Sequence, residues 1–514
     1  MNRYQKLLKN TGLISLGTFG SKLLPFILMR LYTAVLKGGD YNTADIVSQT
    51  ARLLIPFAAV GLTEGLFRLA MDKDEEKRKK VFTAGFFIFG GGCALLLPLM
   101  IAAYFILSRM GSFFSEYLWL VGVYVLTSCL HSLATQYIRT KDHFAFFSLQ
   151  GVINTLLVAL LNILFYAIGH FGVNEYVLSV CIADLVTFFI VFLKERLWRD
   201  FVSPKKIEKE VYVTMIRYAA PLIPMAVSWW ITSVSDRYMV RYFVADPNVS
   251  DRYSAAYKIP TLVTLLCTVF SQSWSYSSVA ENDEKERSDF YSGVFIFYFS
   301  LLFVMAALIV AFSRIITMIM MDESYFDASR YIPLLVGATV FSALSNFLGS
   351  VYTVRLKSSY LMWTSILGAG MNIVLNLLLI PSSIGSLTLA GLGATGAAIA
   401  TVASYFAVFL ARAFTATRLV RFEMHPVFLS LNCILLAGQI ASMTAYDRLP
   451  APFCVLLPIA FGLALLMLDF NILYVRIHNI LVRKGILRSK LIEHNKKKAP
   501  ERGAENDHSA GGEP

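Results

Sequence analysis

Five cations, Lys22, Arg30, Arg52, Arg237 and Lys258, and two carboxylates, Asp45 and Asp236, stand inside or at the ends of stretches otherwise apolar enough to lie in lipid. A Lys, Arg or Asp at the centre of a membrane helix costs about 2.5–3.5 kcal/mol on insertion scales, so residues that persist there usually face a wet cavity. Lys22 and Arg30 are separated by eight residues, roughly one side of a helix. Asp45, Ser48 and Arg52 fall at i, i+3 and i+7, which aligns a carboxylate and a guanidinium along one stripe. Asp236 and Arg237 come late in a later apolar run, and Arg252 and Lys258 come early in the next. Snorkelling to headgroups is the alternative near helix ends, and it is preferred for Arg237 and Arg252. Lys22 and Arg52 sit too deep for it and are expected to line a cavity. Arg can grip phosphate oxygens bidentately while Lys acts as a point charge. A basic cavity of this kind suits pyrophosphate, with Asp45 as a local counter-ion and Asp45 or Asp236 as a position for ion coupling.

Residues for covalent or acid–base catalysis are not assembled in the same way. There is no acidic pair on an external domain, no phosphate-cradling Gly loop and no His cluster, and Asp322, Glu323 and Asp327 surround a short turn. The six cysteines lie far apart inside apolar runs without Cys-x-x-Cys spacing, so they read as packing residues. No enzyme activity, cofactor or metal is expected. Trp229, Trp230, Gln272, Trp274 and Asn346 are polar or aromatic residues within apolar runs that could contact sugar, with helix packing as the plainer reading.

The elements that must carry these residues follow from composition. Hydrophobic residues make up 56% and charged residues 16% of 514, and mean hydropathy is +0.60, well outside the range of soluble domains. Apolar runs of about twenty residues cross a hydrocarbon core of about 30 Å. They are read at 11–36, 43–68, 81–107, 114–138, 145–169, 175–193, 215–242, 253–279, 290–316, 329–354, 359–381, 389–415, 426–446 and 452–476. The fold class is therefore an all-α polytopic membrane protein of about fourteen spans. The first run is too long for a cleaved signal and is expected to stay as the first helix. Pro25, Pro56, Pro221, Pro224 and Pro260 supply bend points.

A net charge of +12 could suggest nucleic acid, but the cations cluster in alternate short loops and in the tail from Arg483 to Lys498. That bias sets orientation: both termini are expected in the cytoplasm and the chain in the cell (inner or plasma) membrane, with membrane lipids and not nucleic acid as partners. Residues 196–214 mix cations with Trp198 and Phe201, as either a linker or a segment on an anionic leaflet would. The tail beyond residue 495 has the composition of a disordered segment.

Internal similarity organises the spans. Tyr137-Ile-Arg-Thr-Lys141 recurs as Thr353-Val-Arg-Leu-Lys357, and Leu161-Asn-Ile-Leu-Phe165 as Leu375-Asn-Leu-Leu-Leu379, at offsets of 216 and 214; residues 72–78 resemble 281–287. An even-numbered repeat of six helices gives two lobes in parallel orientation around a central cavity. The expected organisation is an N-lobe at 1–195, a connector at 196–214, a C-lobe at 215–417, an appended helix pair at 418–480 and a cytoplasmic tail at 481–514.

Five groups of residues stand out: Gly17-Thr-Phe-Gly-Ser-Lys22 with Leu31-Tyr-Thr33, Ser235-Asp-Arg-Tyr238, Tyr253-Ser-Ala-Ala-Tyr-Lys-Ile-Pro260, Asn372-Ile-Val-Leu-Asn376 with Ile380-Pro381, and Gly393-Ala-Thr-Gly-Ala-Ala-Ile-Ala-Thr401. These segments resemble the polysaccharide or O-antigen (Wzx-like) flippases of the multidrug, oligosaccharidyl-lipid and polysaccharide exporter superfamily. The resemblance implies alternating access, an undecaprenyl-pyrophosphate-linked oligosaccharide as cargo, a Na⁺ or H⁺ gradient as drive and glycan polymerase or glycosyltransferase partners. A lipid II flippase and a multidrug antiporter of the same superfamily are the nearest alternatives, the antiporter resting on Asp45, Glu64 and Asp184. An integral-membrane polymerase or ligase would need a large external loop, which the sequence does not contain.

Overall fold

The computed structural model describes residues 26–62, 74–141, 143–220, 222–268, 270, 284–354, 357–450 and 452–483. Within them the chain forms helices α1 (Met29–Val35), α2 (Asp40–Ala58), α3 (Glu75–Arg109), α4 (Leu118–Thr140), α5 (Phe144–Ala167), α6 (Val173–Lys194), α7 (Lys209–Ala219) and α8 (Leu222–Phe243). There follow α9 (Pro247–Ala256), α10 (Glu284–Ala311), α11 (Ser313–Met320), α12 (Ile332–Val354), α13 (Ser358–Leu379), α14 (Gly393–Leu419), α15 (Pro426–Thr444) and α16 (Phe453–Arg483). The protein is a polytopic, nearly all-α fold, and among the described residues eleven helical segments are long and apolar enough to cross a membrane. Three further expected spans are not in that set. Those at 11–36 and 253–279 lie partly outside the described residues. The third, at 43–68, overlaps α2, whose Asp40, Asp45 and Arg52 lower its hydropathy, and its residues 63–68 also lie outside the described residues.

Turns interrupt two of the expected spans. α2 carries Pro56 within it and ends at Ala58; residue 62 is helical again, and residues 63–68 of the expected span lie outside the described residues. Val60 and Gly61 follow with positive φ of 49° and 72°, and a Cβ on Gly61 would lie 2.5 Å from the Ala219 carbonyl oxygen, so only glycine fits that turn. Near Pro260 the expected single helix is broken: α9 ends at Ala256, residues 257–260 form turns, and helix resumes at residue 261. The connection between α13 and α14 is not helical. It contains a two-stranded hairpin, Ser383 against Thr388 and Ile384 against Leu387, with Gly385 at a φ of 59° in its turn.

The buried apolar residues form two clusters. One joins α2 to α3, α4, α6 and α7 through Val47, Phe82, Leu133, Tyr137 and Val177, with Phe82 and Tyr137 stacked at 4.0 Å. The other is built on α10, α12, α14 and α15 around Phe295, Phe299, Phe303, Leu344 and Ala397. This second cluster also takes in Met29, Tyr32, Leu36 and Tyr41 from the start of the chain. The beginning of α2 is thus packed into the second half, while its later turns belong to the first.

The segment at 196–214 is two short 3₁₀ turns leading into α7. Asp200 ties it to the first half through Lys141 at 2.5 Å and Lys79 at 3.7 Å, and Phe201 packs on Phe82 and Phe86.

Candidate substrate cavity and its charged centre

Asp45 lies in the second turn of α2 and is 4% exposed. Its partners are not on its own helix. Arg237 of α8 donates to its Oδ2 at 2.5 Å, and Lys258, in the turn after α9, reaches its Oδ1 at 3.4 Å. Arg237 is buried, with its guanidinium 4.0 Å from the centroid of the Tyr257 ring, so it does not snorkel to the interface. Arg52 sits seven residues further along α2, exposed within the protein's interior and beside the Tyr124 hydroxyl of α4. Three cations therefore surround one carboxylate where the two halves meet. Arg30 is exposed on α1 and outside this group, and Lys22 lies outside the described residues.

Asp236 points the other way. Its Oδ1 accepts the Arg237 backbone N–H at 2.8 Å, and its Oδ2 accepts hydrogen bonds from Tyr253 at 2.7 Å, Thr401 at 3.0 Å and Tyr257. Asn372 joins the same cluster, accepting from Ser235 at 3.0 Å and from Asn376 at 2.9 Å. Four sequence segments that stood apart, around residues 235, 253, 372 and 401, thus join one hydrogen-bonded network around this carboxylate. A third buried acid, Asp184 of α6, accepts hydrogen bonds from Ser128 of α4 and, at 2.9 Å, from Asn154 of α5. His131 lies 3.4 Å from it and pairs on its other side with Gln150 at 2.8 Å. Among the described residues no three His, Cys, Asp or Glu side chains gather as metal ligands.

Beside the charged centre lies a cavity of about 520 Å³ between the end of α2 and helices α7, α8, α12, α13 and α14. Trp229, Tyr405, Ser342 and Asn346 line it, and its cation is Arg412 of α14. Trp230 is turned away, donating its indole N–H to the Gln49 carbonyl at 2.9 Å. Gln272 and Trp274 lie outside the described residues. Arg412 was missed in the sequence, although it stands within the apolar run at 389–415 and the same test for buried charge finds it. His131 was missed because a lone histidine on an apolar helix carries no signal of its partner.

The two halves are latched at the end of the molecule opposite this cavity. Asp251 of α9 caps the start of α2, accepting from the backbone N–H groups of Gly39 at 2.7 Å and Asn42 at 2.8 Å. The Asn42 amide donates to Ser254 at 2.7 Å, Lys37 pairs with Asp322 at 3.2 Å, and Tyr325 donates to the Leu36 carbonyl. Burial pushes the Asp251 carboxyl up to about 6, against the lowering effect of its two backbone N–H partners. A folded-state value raised above the unfolded one means stability fully present below about pH 4 and lost as pH rises through about 6. Asp251→Asn is expected to remove that dependence, a change on the order of 2–3 kcal/mol between pH 4 and 7, readable as a flattened profile of thermal unfolding in detergent. An unchanged profile would refute this assignment.

A family model described as "Polysaccharide biosynthesis protein" matches residues 7–276. Among solved structures, the lipid II flippase MurJ in an inward closed conformation is similar over 92% of this chain and 100% of that one, with 15% identity and a TM-score of 0.65. A multidrug resistance MATE family transporter in an outward-facing conformation matches 80% of this chain and 96% of its own, with 14% identity and a TM-score of 0.56. The inward-facing form of a MATE family transporter gives a TM-score of 0.53 at 14% identity over 80% of this chain and 94% of its own. Comparison with curated protein sequences finds no match. At these identities the structural likenesses establish the fold, and the family match covers more than half the chain. The chain belongs to the polysaccharide biosynthesis protein family, and it has the multi-helix fold seen in the flippase and transporter structures to which it is similar.

Proposed function

We propose that this transporter carries an undecaprenyl-pyrophosphate-linked oligosaccharide from the cytoplasmic to the outer leaflet for cell-surface polysaccharide synthesis. The observation that supports this most is the excess of cation at the junction of the halves: Arg52, Arg237 and Lys258 around Asp45. Arg237 holds Asp45 at 2.5 Å, so Arg52, together with Lys258 once it gives up its longer 3.4 Å contact with Asp45, engages the pyrophosphate, and the neighbouring polar and aromatic cavity receives the sugars. The loop charges support cytoplasmic termini, and on that reading the latched end is the outer one and the cavity lies towards the inner side. The lobes, 1–195 and 215–417, rock about the charged centre, and the tail of the lipid stays in the bilayer. Asp236, held by three hydroxyls, is the position proposed for coupling to Na⁺ or H⁺.

Deleting the gene in its host should leave lipid-linked glycan in the inner leaflet and strip the glycan from the surface, with both restored by the full-length chain. Normal surface glycan in the deletion strain would overturn the proposal. Lipid II is the second reading, favoured by the likeness to the lipid II flippase along its whole length. Rescue of a strain depleted of its lipid II flippase would select it.

A further inference from the structure

Resting on the proposed flippase activity, we infer that the cavity around Arg412 is a subsite for an acidic sugar, so that the glycan carries a carboxylate close to its lipid anchor. Arg412 lies seven residues before the end of α14, about 10 Å along the helix from its terminus at 1.5 Å per residue. It is 5% exposed. Its Nε donates to Thr364 Oγ1 at 3.0 Å, Nη1 to the Ser345 carbonyl at 2.9 Å and Nη2 to Ser365 Oγ at 3.0 Å. Every one of these acceptors is neutral. The ionisable groups facing it are the phenols Tyr352 and Tyr405, and no carboxylate lies among the described residues that line the cavity.

A guanidinium has five N–H donors, and three are placed here, so two remain for a ligand. A cation held in the membrane region by neutral partners keeps its whole charge, at a cost that an anionic ligand would offset. Glycine at 349 lets the guanidinium lie close against α12: a Cβ there would sit 3.0 Å from Leu361 Cδ1 and 3.3 Å from Nη1. Around this cation the walls suit a sugar. Trp229 exposes most of its indole, and Ser342 and Asn346 present a hydroxyl and an amide. The volume of about 520 Å³ is that of a small-molecule site. None of Asp45, Arg52, Arg237 or Lys258 lines the cavity, so its anion is a second one, distinct from the pyrophosphate.

A purely structural Arg412, stapling α12, α13 and α14 together, would show no preference among ligands. The test uses the purified full chain in nanodiscs and two probes: a polyprenyl-pyrophosphate disaccharide bearing a uronic acid, and its neutral hexose counterpart. The wild-type protein is expected to bind the uronate probe about tenfold more tightly, the order of a charge-assisted hydrogen-bonded pair. Arg412→Gln should bring the ratio close to one. Gly349→Val, which displaces the guanidinium without removing it, should narrow the ratio too, and it serves if the first variant fails to fold. Equal affinities in the wild type, or a preference that survives both variants, would overturn the acidic-sugar subsite while leaving the flippase reading intact. An equal loss for both probes in Arg412→Gln would reassign Arg412 to the pyrophosphate and also overturn it. Failure of the wild type to bind either probe would overturn the flippase reading as well.

Discussion

Asp45→Ala is expected to abolish surface glycan and to destabilise the protein by about 3–5 kcal/mol, the usual result of leaving buried cations without their partner. Asp45 is the carboxylate that both Arg237, at 2.5 Å, and Lys258, at 3.4 Å, contact from the other half of the chain. Removing it leaves two ammonium or guanidinium groups facing each other and Arg52 across a junction that must also open and close. Arg237→Gln in the same background should recover part of the stability, because one uncompensated charge goes with it. The transport defect should remain, since the contact that joins the halves is still missing. Thermal unfolding in detergent and surface-glycan staining measure the two effects separately. Full stability in the single variant would show that water or lipid satisfies these cations, and the centre would lose its role.

Arg52→Ala is expected to act in the opposite proportion, reducing transport more than tenfold while changing stability by no more than about 1 kcal/mol. Its side chain is exposed and approaches the Tyr124 hydroxyl, and among the described residues no carboxylate forms an ion pair with it, so little native structure depends on it. What depends on it is an anionic ligand, to which a charge-assisted pair contributes about twice as much as a neutral hydrogen bond. Arg52→Lys should restore only part of the transport, because a lysine keeps the charge but loses the planar fork that matches phosphate. Flipping of a fluorescent polyprenyl-pyrophosphate glycan in proteoliposomes checks both variants. Unimpaired flipping in Arg52→Ala would remove Arg52 from the substrate path.

The separate motifs around Asp236 explain why the resemblance was visible in the sequence although the site was not. Ser235, Tyr253, Asn372 and Thr401 each lie on a different segment, and their common purpose appears only where α8, α9, α13 and α14 converge on one carboxylate. Asp184 shows the same effect in the first half. A lone acid on an apolar helix could be read as a coupling group, whereas the structure surrounds it with Ser128, Asn154 and His131 from two other helices.

What the sequence determined by itself was the solvent, the element type and the list of charges to be explained. Runs of apolar residues long enough to cross a bilayer leave a helix as the simplest way to pair every backbone N–H and C=O, so the nearly all-α polytopic fold follows from composition and length. Pairing was different. Asp45 and Arg52 share a stripe on α2, and the local pattern made Asp45 a counter-ion on its own helix. The packing of α2 against α8 and the turn at Lys258 supplied closer cations from 192 and 213 residues away. Likewise the apolar pattern ran across Pro260, and the structure broke the helix there, because hydropathy does not register a missing backbone donor. Hydrophobic periodicity is local, and it fixed the helices. Charge partners and helix ends are set by which neighbour arrives, and only the tertiary structure brings the neighbours.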